Sequence, residues 1–359
     1  MRLVSLSMIK PDMVLAKSIY YRDCLVLKEG QTDLERYTNS LANLGIDCVY
    51  VDDSKSDGIE IPDAISEETR VSCKRILRKT IEDFENKTVI DMTDMSETIH
   101  NIIEDILRNG DIQVSLNDIS ASDEYTFSHS VSTTVYSLLI ARQLGYSQQM
   151  LEKLAAGALL HDIGKIMLDK KILNKEEKLD EMENEHIKKH TTLGYETLKK
   201  CVSLTELSRI ISLYHHERMD GSGYPTGALA GDLHEFARIV AVADVYDAMI
   251  SDRCNRKKWN SNQAVNYLIE NAETKFDTKL VSVFIKQIAI YPNGSMVRLS
   301  NNAIGIVKEQ NKNFPLRPII RVITDEMGNE VHAYELDLMK VLSITIIESE
   351  IEMKNDCII

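Results

Sequence analysis

Leu160-His161-Asp162-Ile163-Gly164-Lys165 and, further along, His215-His216-Glu217-Arg218-Met219-Asp220-Gly221-Ser222-Gly223-Tyr224-Pro225 are the two stretches on which the fold turns. The run 155–160 ahead of the first block is small and apolar, which predicts a buried helix carrying a charged His-Asp pair inward. A buried charge needs partners or a cation. Adjacent residues on a helix point about 100° apart, so both can ligate only where metals lie between several helices. A lone histidine is more often satisfied by hydrogen bonds, but this pair has company. Asp244 sits in Ala241-Val242-Ala243-Asp244-Val245-Tyr246-Asp247-Ala248, a carboxylate on an otherwise apolar helix face and a costly placement without a cation. His190 falls near a helix start and His129 in a helical stretch. His215 and His216 fall where a helix gives way to the glycine-rich loop 220–231. Neutral imidazoles and carboxylates in this number suit more than one divalent metal, and two adjacent metals suit in-line attack on a phosphodiester.

The bulk of the chain agrees with a globular, two- or three-domain protein: 359 residues, 43% of them hydrophobic. A net charge of −14 argues against a DNA or RNA duplex or an anionic membrane as partner. It does not argue against a small anionic substrate, because a local metal cluster outweighs distant charge. No apolar run reaches the length of a membrane span, and Met1-Arg2-Leu3-Val4-Ser5 does not open a signal peptide. The six scattered cysteines, without a C-x-x-C pair, read as free thiols in a reducing cytoplasm.

Composition changes along the chain. Residues 1–60 read as a small β-rich unit, with a turn at Glu29-Gly30, a short helix over 34–44 closed by Gly45, and a strand over 46–51. Residues 61–110 are charged and helical in period, with Val71, Ile76, Ile81 and Phe84 on one face, and read as a helical connector. Residues 111–290 are helix after helix. Ser203-Leu204-Thr205-Glu206 reads as a capping box opening the helix that delivers His215, and Ser261 as a helix N-cap. Residues 291–359 turn β again, with strands at 296–299, 303–307, 319–323 and 330–332 spaced as in a small barrel.

His161-Asp162-Ile163-Gly164-Lys165, His190-x-x-x-Gly194, His215-His216-Glu217-x-x-Asp220-Gly221-x-Gly223-Tyr224-Pro225 and Ala243-Asp244-x-x-Asp247-Ala248 together resemble the HD-GYP family, a branch of the HD phosphohydrolase superfamily. The blocks cover about residues 125–257 and match in order, spacing and identity, which is far more specific than a bare His-Asp pair. The resemblance implies a mainly α fold, an all-helical HD-type catalytic domain flanked by small β-rich N- and C-terminal segments. It implies hydrolysis of cyclic di-GMP to pGpG and on to GMP by a hydroxide bridging two divalent metals, iron or manganese. Carried over by the match, His129, His161, Asp162 and Asp244 hold one metal, and Asp162, His190, His215 and His216 the other, with Asp162 bridging. Some relatives take a third metal through a Glu one turn before the first histidine. Here Tyr125 stands in that place and Glu124 is one residue off, so two metals are expected.

By the same resemblance Lys165 meets a substrate phosphate. Gly223, Tyr224 and Pro225 form a rigid substrate loop beside His216, with Tyr224 stacking on guanine, donating to phosphate, or simply packed. Arg218 and Asp220 pair to shape that loop, and Asp247 orients Lys165 or a ligand histidine. Arg253 and Arg256 contact the nucleotide, although Cys254-Asn255 replaces the family's usual Pro-Tyr. His100, His186, His234 and His332 match no ligand position. A non-catalytic dinucleotide sensor or docking module, or a hydrolase of another cyclic dinucleotide, are the competing readings. The sequence leaves a homodimer open.

Overall fold

In the computed structural model the described residues are 1–21, 24–86, 92–109, 113, 125–173, 175, 177–251 and 259–349. The chain is mainly helical with β structure at both ends, as its composition changes imply. At the N-terminus, β1 (Arg2–Ser5), β2 (Val14–Leu15) and β5 (Cys48–Asp52) form an antiparallel sheet with β5 central. A separate hairpin joins β3 (Ile19–Tyr21) to β4 (Cys24–Leu27). The short helix α1 (Thr38–Asn43) ends before Gly45, whose φ of 75° supplies the left-handed turn expected there. Val4, Leu15, Leu34, Leu41, Val49 and Val51 close a small core of their own.

The helices α2 (Glu67–Glu85) and α3 (Thr93–Arg108), expected as a connector, contribute Cys73, Leu77, Met95, Ile99, Ile102 and Ile106 to the main core. That core is shared with α4 (Tyr125–Gln143), α5 (Gln148–Leu159), α9 (Glu206–Tyr214), α10 (Glu235–Ile250), α11 (Ser261–Glu270) and α12 (Thr278–Ile285). Between α5 and α9 run α6 (Lys170–Leu173), α7 (Glu181–Lys188) and α8 (His190–Leu198). The central helix is α10, apolar on nearly all sides and therefore buried all round. Tyr136, Tyr246 and Phe284 meet edge to face at its flank, with centroids 4.9–5.5 Å apart.

Two caps differ from the sequence reading. Thr205, not Ser203, caps α9 through Ser208 N, and Asn260, not Ser261, caps α11 in a box with Gln263. In both cases the residue immediately before the helical φ/ψ begins is the one whose oxygen can reach the orphan N–H groups.

The C-terminal strands β6 (Met296–Leu299), β7 (Ile304–Glu309), β8 (Ile319–Thr324), β9 (Glu330–Asp337) and β10 (Ile346–Ser349) form one antiparallel sheet in the order β10-β6-β7-β8-β9. Among the described residues β9 and β10 are edges with no ladder between them, so the expected barrel is not closed. One face sends Val297, Leu299, Val307, Ile320 and Val322 into the helical core. The other packs Met296, Ile304, Ile306 and Ile323 on Ile59. The two chain ends also meet through Arg2 donating to the Met296 sulfur at 3.8 Å, Lys55–Glu330 at 2.7 Å and Asn293 donating to the Glu60 carbonyl at 2.8 Å. Among the described residues no helix is long and apolar enough to cross a membrane.

Candidate metal centre

The small residues Ala155, Ala156, Gly157 and Ala158 end α5 against α9, where a Cβ at Gly157 would meet Ile211 and the Ser208 backbone. The chain then turns, and the His161 carbonyl is pinned by the Ser212 hydroxyl of α9 at 2.9 Å. The following turn, Ile163–Met167, lies against the start of α8 so closely that a Cβ at Gly164 would overlap the His190 carbonyl. Gly194 faces Gly164 in the same contact. These two glycines are therefore what lets the His-Asp turn and His190 share one site.

Seven side chains converge in two groups: His129, His161 and Asp244, and Asp162, His190, His215 and His216. Within each group one donor atom per residue lies within 4.8 Å of the others. His161 and His215 are fully buried, and Asp162 and Asp244 are each 5% exposed. Asp162 divides its two oxygens between the groups. Its Oδ2 is 3.3 Å from His161 Nε2 and 3.9 Å from His129 Nε2, while Oδ1 is 3.3 Å from His190 Nε2 and 3.8 Å from His215 Nε2. Asp244 divides likewise, with Oδ1 at 3.0 Å from His129 Nε2 and Oδ2 at 3.7 Å from His216 Nδ1.

The tautomers follow from what the outer ring nitrogens touch. Nδ1 of His161 donates to the Ala158 carbonyl at 2.7 Å, that of His190 to the Ile187 carbonyl at 2.7 Å, and that of His215 to the Ile211 and Ser212 carbonyls at 3.0 Å. Each therefore turns a bare Nε2 lone pair inward. The inward atoms then lack donors: His161 Nε2 and Asp162 Oδ1 are buried and hydrogen-bond to nothing, and His190 Nε2 faces His215 Nε2 at 3.4 Å. Buried acceptors turned toward one another are unfavourable unless a cation lies among them, so these residues fit divalent metals.

Burial and the neighbouring imidazoles push His215 down to about 3, and burial also lowers His190 and His216, all in the neutral form that ligation requires. Burial alone would raise Asp162 and Asp244. Lys165 and His161 hold Asp162, and His129 and His216 hold Asp244, well below the usual carboxylate range. His129 differs. Burial works against its charge, but Asp244 and Asp247 outweigh it and lift the ring to about 9. Without a cation that pair of carboxylates holds a proton instead.

Asp247 accepts from His129 Nδ1 at 2.6 Å, so of its two expected partners it orients the histidine. Lys165 Nζ lies 2.5 Å from Asp162 Oδ2, at the centre. The expected Arg218–Asp220 pair does not form. Arg218 donates to the Glu217 carbonyl at 2.8 Å and lies over the Phe276 ring, while Asp220 accepts from Ser222 N and Oγ. Glu217, which the sequence reading passed over, is the loop's anchor: it is 2% exposed and accepts from Thr226, Gly227 and Ala228. An acidic residue directly after a buried His-His pair was the available signal. Gly223 is part-buried against the backbone of residues 216–218, Tyr224 is half-buried and Pro225 exposed. Burial, with Asp244 and Asp162 nearby, raises the Tyr224 phenol, which stays protonated. Glu124, Arg253 and Arg256 lie outside the described residues. His234 caps α10 through Phe236 N and His186 accepts from Asp169 N, structural roles as expected.

A helical core that brings two groups of imidazoles together around shared carboxylates defines a metal-dependent hydrolase of the HD type. The family described as HD domain matches residues 114–280, and one described as KOW domain associated with HD domain matches 296–354. The chain is 32% identical over 325 residues to cyclic di-GMP phosphodiesterase PA4108 of Pseudomonas aeruginosa, covering 82% of this chain and 77% of that protein. It is 33% identical to cyclic di-GMP phosphodiesterase PdeB of Borreliella burgdorferi, covering 56% of this chain and 53% of that one. It is 34% identical to 3'3'-cGAMP-specific phosphodiesterase 3 of Vibrio cholerae, covering 49% and 38%. The chain belongs to the HD-domain family, in its HD-GYP branch.

Proposed function

We propose that this chain hydrolyses cyclic di-GMP to pGpG and then to GMP. The observation that carries the reading is the inward set of buried, unpartnered acceptors shared between two groups of imidazoles by Asp162. In this reading His129, His161, Asp162 and Asp244 hold one divalent metal and Asp162, His190, His215 and His216 the second. When bound, such a pair activates water and neutralises charge for in-line attack on phosphorus. Asp162, with one oxygen toward each group, would serve both metals. Asp247 fixes the ring of His129, as backbone carbonyls fix His161, His190 and His215. Lys165, 23% exposed and beside Asp162, is placed to meet a non-bridging phosphate oxygen and charge developing there. Mixed nitrogen and oxygen donors favour iron or manganese. Arg253 and Arg256 are proposed to grip phosphate or guanine at the mouth. Cysteines 24, 73 and 201, free thiols among the described residues, support a reducing, cytoplasmic setting.

A second reading, cleavage of a mixed cyclic dinucleotide, is favoured by the relatives that are specific for 3'3'-cGAMP. Incubating manganese- or iron-loaded protein with each dinucleotide separately, and resolving the products, decides both points. Appearance of pGpG followed by GMP from cyclic di-GMP supports the first reading. Turnover of 3'3'-cGAMP alone replaces it with the second, and no turnover of either with metals bound leaves a sensor.

A further inference from the structure

The loop after the His215-His216 pair folds back onto the residues that precede it. Glu217 Oε1 accepts from Thr226 N at 2.7 Å, Thr226 Oγ1 at 2.8 Å and Gly227 N at 3.1 Å, and Oε2 accepts from Ala228 N at 3.1 Å. Successive backbone N–H groups of this kind form a concavity that takes an anion, and here the protein's own carboxylate fills it. Gly223 packs where a Cβ would lie 2.5 Å from the His216 carbonyl, and Tyr224 N donates to that carbonyl at 3.3 Å.

The Tyr224 ring then lies on the imidazole of His216, with centroids 4.7 Å and planes 30° apart. Its edge meets His190 at 6.4 Å, and the Lys188 ammonium is 5.5 Å from its centroid. This matters because His216 is unlike the other four histidines of the centre. His129, His161, His190 and His215 each have Nδ1 held by a carboxylate or a backbone carbonyl. No hydrogen bond to a described residue holds either nitrogen of the His216 ring, and its side chain keeps 19% of its exposure. The ring is held by aromatic contacts, with His215 at 4.1 Å, His190 at 5.1 Å and Tyr224 at 4.7 Å, and of these three Tyr224 is the one that is not itself in the cluster of donors.

We infer that Tyr224 is a positioning residue for His216, with Glu217 holding the loop that carries it, so that this loop braces the second half-site rather than offering the Tyr224 face to a base. The inference rests on the proposed metal reading. Stacking replaces, at one ligand, the outer hydrogen bond that orients the other four.

The test is Mn²⁺ binding to the full chain, stripped of metal and titrated, together with kcat and KM for cyclic di-GMP. In Tyr224→Leu one of the two Mn²⁺ affinities is expected to fall about 10- to 100-fold, as when other orienting partners of ligands are removed, while the other holds. Tyr224→Phe, which keeps the ring, is expected to restore it. In the Leu variant kcat should fall and KM should hold. Unchanged Mn²⁺ affinities with a raised KM in Tyr224→Leu would overturn the inference and place the ring on substrate. Should the Leu variant fail to fold, Glu217→Gln carries the same reading: a selective loss at one site supports the brace, and unchanged affinities at both overturn it. Wild-type protein that takes up no Mn²⁺ would instead sink the metal reading itself.

Discussion

The two half-sites use the same residue types but different parts of helices. The first is built mainly from helix interiors: His129 lies inside α4 and Asp244 inside α10, while His161 alone follows a helix end, that of α5. The second is built from helix ends: His190 opens α8, and His215 and His216 follow α9. Interior positions are fixed by close packing, which a ring cannot leave without a cavity. End positions are fixed by local contacts, carbonyls for His190 and His215 and a loop for His216. The first half-site is thus set by the core, and the second by two glycines and the loop that follows Glu217.

Asp162→Ala is expected to break the distinction, because that residue serves both half-sites. Both metals should be lost and turnover should fall beyond the roughly 10²–10³ of a single electrostatic contact. Elemental analysis and product formation check it, and retention of either metal would show that the carboxylate does not bridge. Lys165→Ala should leave both half-sites loaded and still lower kcat by about 10²–10³. Metal lost together with rate would make Lys165 a support for Asp162 and not a contact to substrate. Gly164→Ala should act on the second half-site, since a Cβ there drives against the His190 carbonyl. Overpacking of this kind costs about 1–3 kcal/mol. A thermal melt and the loss of one metal with the other retained are the readouts, and an unchanged melt would show that the contact is loose. Asp247→Asn is the mildest. It should weaken the first half-site alone by about tenfold, measured by metal titration, and equal weakening of both would erase the contrast drawn here.

The clustered histidines and aspartates were legible because burying an imidazole or a carboxylate in an apolar helix demands compensation, and because the blocks match a family in order and spacing. Asp247 was legible in kind but not in partner, since a contact across α4 and α10 leaves no trace in local sequence. Glu217 was missed because the N–H groups that donate to it lie along a loop whose path nothing local specifies. The expected Arg218–Asp220 pair failed because Arg218 found carbonyls and a ring closer at hand. The C-terminal strands were placed by their alternation, whereas β10 was not, and neither was the openness of the sheet.

By itself the sequence determined that this protein is helical between two β-rich ends, which buried histidines and aspartates call for compensation, and which family it resembles. Period and burial cost act within a single element, so a single element reveals them. Only the tertiary structure decided that α2 and α3 share the main core, and that the two ends of the chain meet across Arg2 and Met296 and across Lys55 and Glu330. It also decided that Asp162 gives one oxygen to each group of imidazoles, and that Tyr224 lies on His216. Those facts depend on distances between elements far apart in the chain, which packing alone sets.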